Sequence, residues 1–194
     1  RNGDGVALVG PNGAGKTTLV RVLVGELESP TGRVKIGSRV KIGYFSQQHE
    51  SLNMDNTVID ELIYTYGINE EQARRYLGAF LFHGDEVLRR IGDLSGGEQS
   101  RVAFLKLMLT GANFLVLDEP TAALNEDDSE NLLFLLKELK GKGVTSVLIS
   151  HKLKEVLAIA DTVTVLRDGK SICTLDVKTD VINEDVLIKN MVGR

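Results

Sequence analysis

A glycine-rich octapeptide, Gly10-Pro11-Asn12-Gly13-Ala14-Gly15-Lys16-Thr17, settles the first question about this chain. It satisfies the pattern G-x-x-x-x-G-K-[ST] at every fixed position. Val6-Ala7-Leu8-Val9 just before it reads as a buried strand, and Leu19, Val22, Leu23 and Leu27 after it recur at helical spacing. Strand, loop and helix together form an anion cradle. The glycines let successive backbone N–H groups converge, and the start of the helix adds its positive end. On this reading Lys16 reaches the β- and γ-phosphates of a nucleotide and the Thr17 hydroxyl holds Mg²⁺.

At 194 residues the chain suffices for one domain with a sizeable core. A net charge of −4 argues against broad electrostatic binding to nucleic acid. A single cysteine, Cys173, excludes an internal disulfide and sits in an apolar alternation that reads as core. No apolar run has the length of a membrane span, so a cytoplasmic domain is expected, without direct membrane insertion.

Along the chain, Val34–Ile36 and Val40–Phe45 read as strands around Gly37-Ser38, and Gln47-Gln48 follow. Thr57–Tyr66 reads as a helix, Asn69 opens another that runs to about Phe82, and a shorter helical piece covers Glu86–Ile91. Leu94-Ser95-Gly96-Gly97-Glu98 starts a strong helix. This helical material, about residues 50 to 111, interrupts an α/β pattern and reads as an inserted subdomain.

Phe114–Leu117 is an uninterrupted apolar run closed by Asp118-Glu119, a buried strand with acids at its tip. Asp127-x-x-Glu130 fits a cap for the next helix. Val144–Ile149 is another buried strand, ending in Ser150-His151. Leu153–Ile159 reads as a short helix, and Thr162–Leu166 and Ser171–Leu175 as strands joined by an Asp168-Gly169 turn. Glu184–Met191 is the last helix.

Strands alternating with helices predict an α/β fold of the P-loop type. It is a mainly parallel sheet covered by helices, with a small β hairpin. In such sheets ligands gather at the carboxyl ends of the strands, where Gly10, Gln47, Asp118 and His151 all fall. Of two adjacent acids, one suits a metal and the other can orient or deprotonate an attacking water. Gln47 has the donor and acceptor to sense both, although the residues alone do not separate it from Gln48. His151 could contact a γ-phosphate. His49 and His83 read as structural. Ser95, Gly96 and Gly97 at a helix start make a second anion site, too far along the chain to belong to the first loop.

Together these pieces resemble the ATP-binding cassette (ABC) ATPases over the whole chain. The matches are the phosphate loop at Gly10–Thr17, a glutamine loop at Gln47, a signature at Leu94–Glu98, the acidic strand end Asp118-Glu119, and a switch histidine at His151. The resemblance implies a Mg²⁺-dependent ATPase that works head to tail with a second cassette, as a homodimer or heterodimer. Gly10, Asn12, Gly13, Gly15, Lys16, Thr17 and Thr18 would bind ATP. Ser95, Gly96 and Gly97 would close over the ATP of the other cassette. Thr17, Gln47 and Asp118 would hold Mg²⁺. Glu119 would be the general base, with His151 and Gln47 beside it.

The two parts of the chain resemble different branches. Gly43–Gln47, Tyr76–Phe80 and Leu94–Arg101 look like the ribosome-associated ABC-F branch. Ala123–Asp128, Ile149–Leu153 and Met191–Arg194 look like ATPase subunits of monosaccharide importers. The partner implied is a ribosome on the first likeness and a membrane permease on the second, which would place the domain at the inner membrane. A fusion of two family members explains the mosaic. It carries the alternative of a domain that binds nucleotide with little or no turnover, since Asn125 stands where ABC-F proteins have Asp. Only nine residues precede Gly10, so the family's upstream strands and adenine-stacking aromatic are expected to be missing.

Overall fold

The computed structural model describes residues 3–29, 31–45, 52–180 and 182–193. Among these, six strands form one sheet: β1 (Gly5–Val9), β2 (Ile42–Phe45), β3 (Phe114–Asp118), β4 (Thr145–Ile149), β5 (Thr162–Arg167) and β6 (Lys170–Asp176). Their spatial order is β2-β3-β4-β1-β5-β6. All neighbours are parallel except β5 and β6, which form an antiparallel hairpin. The helices are α1 (Lys16–Leu23), α2 (Val58–Tyr66), α3 (Glu70–Ala79), α4 (Gly96–Leu109), α5 (Glu126–Gly141), α6 (Leu153–Ile159) and α7 (Glu184–Val192).

The central parallel strands are mostly apolar because both faces of the sheet are covered. Leu8, Val116, Val147 and Ile149 pack with Val20 of α1 in one cluster. Their alternate neighbours Ala7, Val9, Leu115, Leu117 and Leu148 join the larger core, which also holds side chains of α2 to α6. Phe104 of α4 is fully buried and meets Phe45 of β2 and Phe80 edge-on, with ring centroids 5.9 and 6.0 Å apart. Such pairs are worth roughly 0.5–1.5 kcal/mol each beyond their buried area. They fix α4 against the sheet. A buried ion pair between Glu61 of α2 and Lys106 of α4 fixes it on the other side, with the Tyr66 hydroxyl donating to the Lys106 carbonyl at 2.7 Å.

Six sequence expectations shift. Val34–Ile36 is not a strand, and the strand expected over Val40–Phe45 contracts to Ile42–Phe45. Among the described residues β2 is the edge of the sheet, no strand pairs with the earlier stretch, and Val34, Ile36 and Val40 stay exposed. The helix expected to reach Phe82 stops at Ala79, where Leu81 takes a left-handed conformation (φ 66°) and Arg101 Nη1 captures its carbonyl at 2.9 Å. The piece expected over Glu86–Ile91 is two 3₁₀ turns, Gly84–Leu88 and Ile91–Asp93. The cap of α5 is Asn125, whose side chain accepts from Asp128 N at 2.8 Å, two residues before the expected Asp127. Cys173 is half-buried on β6, packed against the core from its margin.

Candidate functional site

The carboxyl ends of β3, β4 and β1 lie side by side, because these three strands are parallel and adjacent. The loop after β1 carries residues 10–15. At Gly10 the strand leaves the sheet so close to β5 that a Cβ would stand 2.2 Å from the Leu166 carbonyl oxygen. Only glycine fits there. The β5–β6 turn supports the loop from the other side, with Gly169 N donating to the Ala14 carbonyl at 3.2 Å. Asp168 and Gly169 take φ 51° and 72°, the two left-handed residues of a type I′ hairpin turn.

Helix α1 starts at Lys16 with no acidic side chain in its first turn, while each of the other described α-helices carries at least one. An acid normally complements the positive helix start. No side chain in the first turn of α1 supplies that complement. Lys16 is 8% exposed, and its Nζ donates to the Gly10 carbonyl at 2.9 Å and the Pro11 carbonyl at 3.1 Å. Among the described residues this buried ammonium meets only neutral carbonyls, which is the electrostatic condition for capturing a phosphate. Asn12, Gly13, Thr17 and Thr18 are exposed around it.

At the tip of β3, Asp118 Oδ1 is buried without a hydrogen-bond partner among the described residues. Tyr44, on the neighbouring strand β2, lies close enough to feel this carboxylate. Burial first, and then the charge of Asp118, raise the Tyr44 hydroxyl above its ordinary value. An orphaned carboxylate oxygen calls for a cation. Among the described residues no cluster of three or more His, Cys, Asp or Glu side chains could hold a metal alone. The residues fit Mg²⁺, which takes one or two protein oxygens and completes its shell with phosphates and water.

Glu119 follows with φ 53°, a strained value for a residue with a Cβ, and its N–H donates to the Ile149 carbonyl at 3.0 Å. This turn brings its Oε2 to 2.7 Å from Nδ1 of His151, at the end of β4. Gln47 and His49 lie outside the described residues. His83 is exposed, and its backbone N–H donates to Glu86 Oε2 at 2.7 Å.

Ser95, Gly96 and Gly97 open α4 elsewhere. Ser95 caps the helix, accepting from Glu98 N at 3.1 Å while Glu98 Oε2 accepts from Ser95 N at 2.7 Å. Arg89 Nη1 donates to Glu98 Oε1 at 2.7 Å. Burial opposes ionisation of Glu98, but the Ser95 N–H and the Arg89 guanidinium outweigh it and hold the carboxyl below its ordinary value. Gly97 is pressed against α5, where a Cβ would stand 2.0 Å from Asp128 Cγ. Ser95 Oγ also donates to Asp128 Oδ2, at 3.4 Å.

The structure therefore brings together Lys16, Asp118, Glu119 and His151 along one sheet edge and keeps Ser95–Gly97 as a separate group on α4. Tyr44 beside Asp118 was not among the residues that the sequence singled out.

A strand, phosphate loop and helix, with an acidic strand end beside them, define a P-loop nucleotide-binding domain of α/β class. A family model for ABC transporters matches residues 1–122. The chain belongs to the ABC transporter family.

Several curated relatives agree. The L-arabinose transport ATP-binding protein AraG of Geobacillus stearothermophilus is 39% identical over all of this chain and 42% of its own length. The xylose import ATP-binding protein XylG of Moorella thermoacetica is 38% identical with the same coverage of both. The Bacillus subtilis protein YdiF is 45% identical over 77% of this chain and 23% of its own. The chain thus spans less than half the length of these relatives.

Two solved structures share the fold at a TM-score of 0.74 and 24% identity. The dimeric ATP-binding cassette MJ0796, bound to ADP and Pi after hydrolysis, covers 91% of this chain, which covers 87% of it. The ADP conformation of the cassette MJ1267 covers all of this chain, which covers 89% of it. Among the described residues no helix is long and apolar enough to cross a membrane.

Proposed function

We propose that this chain binds Mg²⁺-ATP on Gly10–Thr18 and hydrolyses it, with Glu119 as general base, when paired with a second cassette. One observation carries the reading: the buried Lys16 ammonium, held only by carbonyls among the described residues, and the buried, unpartnered Oδ1 of Asp118 lie at a single sheet edge. A metal–phosphate group answers both. Lys16 exchanges its two carbonyls for β- and γ-phosphate oxygens, and the first turn of α1 donates to the same phosphates. Thr17, Asp118 and Gln47 hold Mg²⁺, which supplies neutralising charge to the phosphates. Glu119 accepts the proton of the attacking water, and His151 fixes that carboxylate. Ser95, Gly96 and Gly97 face the nucleotide of the partner cassette, so turnover needs two chains.

ATP turnover measured against protein concentration tests this. Turnover per chain should rise with concentration as cassettes pair. A constant value from dilute to concentrated protein defeats the paired mechanism.

The relatives named for arabinose and xylose match the whole chain, which favours an active sugar-importer ATPase docked on a membrane permease from the cytoplasmic side. The second reading is a mosaic, with an ABC-F-like stretch through about Ala122 and helices 50–111 as its partner-facing subdomain. Co-sedimentation with ribosomes against capture by permease-containing membranes separates the two.

A further inference from the structure

Behind the contact between Glu119 and His151 lies a knot of polar side chains that the proposed reaction does not use. Thr121 is 1% exposed and is held at two atoms. Its Oγ1 donates to Glu155 Oε2 at 2.5 Å, and its carbonyl accepts from Lys152 Nζ at 2.8 Å. Lys152 also reaches Ser129 Oγ of α5 at 3.4 Å and pairs with Glu155 Oε1 at 3.3 Å. Ser129 is itself buried.

The placement of these residues is specific. Thr121 lies two residues after Glu119, and Lys152 and Glu155 lie one and four residues after His151. The knot thus ties the turn after β3 to the turn after β4, the two turns that carry the reacting pair. A buried polar network whose members are all satisfied rigidifies and specifies one arrangement. Glu119 needs such support, because a left-handed conformation at a residue with a Cβ persists only where its surroundings over-determine it.

We propose that Thr121, Lys152 and Glu155 form a clamp that sets the contact between Glu119 and His151, making all three positioning residues for hydrolysis. The catalytic consequence rests on the ATPase reading above; the geometric one does not.

The test uses the full chain and two readouts. The first is the Nδ1 resonance of His151 in imidazole ¹⁵N spectra, assigned among three histidines with a His151→Gln variant. The second is steady-state ATPase kinetics. Thr121→Val removes the hydroxyl at constant volume. It should move the His151 resonance and lower kcat by about 10- to 100-fold, the scale of a misplaced catalytic group. KM for ATP should stay within about threefold, since ground-state binding is untouched. Thr121→Ser keeps the hydroxyl and should restore both readouts.

Should Thr121→Val not fold, Lys152→Met at its less buried position is read in the same way. An unmoved resonance in a folded variant overturns the clamp. A moved resonance with parental kcat overturns the positioning role. A parent that neither binds nor hydrolyses ATP, but whose variants still move the resonance, upholds the clamp and overturns the ATPase reading instead.

Discussion

Glu119 Oε2 and His151 Nδ1 lie 2.7 Å apart, although 32 residues separate them in the chain. A carboxylate only accepts, so His151 carries its proton on Nδ1 and donates. The histidine thereby orients the acid rather than competing with it for a water proton. Replacing the acid with its amide keeps the shape and removes the basicity. Glu119→Gln should therefore bind ATP as the parent does and lose about 10²–10⁴-fold in turnover, the usual share of a positioned base. Equilibrium ATP binding with single-turnover kinetics checks it, and a loss below about tenfold would place the base elsewhere.

The phosphate loop makes its own prediction. Lys16 is buried with its charge held by the carbonyls of Gly10 and Pro11. Charge-assisted hydrogen bonds contribute about 1.5–3 kcal/mol. Lys16→Ala should weaken ATP binding by roughly 10- to 150-fold, at about 1.4 kcal/mol per tenfold. Calorimetric titration measures this directly. Parental affinity in the variant would mean that the nucleotide sits elsewhere.

Much of this site was legible before any coordinates. The octapeptide at 10–17 has a fixed spacing because a backbone cradle needs its glycines, lysine and hydroxyl at set positions. The apolar runs before Asp118 and Ser150 announce strands buried on both faces, which also places their tips at one edge. What stayed hidden depends on contacts across the chain. The Lys152 ammonium on the Thr121 carbonyl has no sequence period. Val34–Ile36 has strand composition, but pairing is decided by the neighbour available, and the sheet ends at β2.

The contact between Gly97 and Asp128 predicts an unusual rescue. A methyl group at Gly97 would overlap Asp128 Cβ at 2.3 Å as well as its carboxylate, so a rotamer change cannot relieve it. Gly97→Ala should destabilise the domain by about 1–3 kcal/mol, the range for overpacking. Asp128→Gly removes the obstructing atoms. The double variant should recover most of the lost melting temperature even though Asp128→Gly alone does not raise it. Two independent losses that simply add would show that Gly97 is required for another reason.

The last prediction concerns acid stability at the opposite end of the sheet. Asp161 accepts from Gly5 N at 2.8 Å at the start of β1 and pairs with Lys140 Nζ of α5 at 2.6 Å. Burial alone would raise its pKa. The Gly5 N–H and the Lys140 ammonium outweigh that burial and hold it below the ordinary 3.8. A carboxyl with a depressed folded pKa contributes stability that is fully present above its unfolded value. That stability is lost as pH falls through the folded value, where the native state must also take up the proton. Asp161→Asn should therefore melt lower than the parent at neutral pH, and the gap should close only below the ordinary carboxylate range. Melting curves of both proteins from neutral to strongly acidic pH read this out. A gap that stays constant across the series would show that Asp161 acts through shape and hydrogen bonding alone, with its charge contributing nothing.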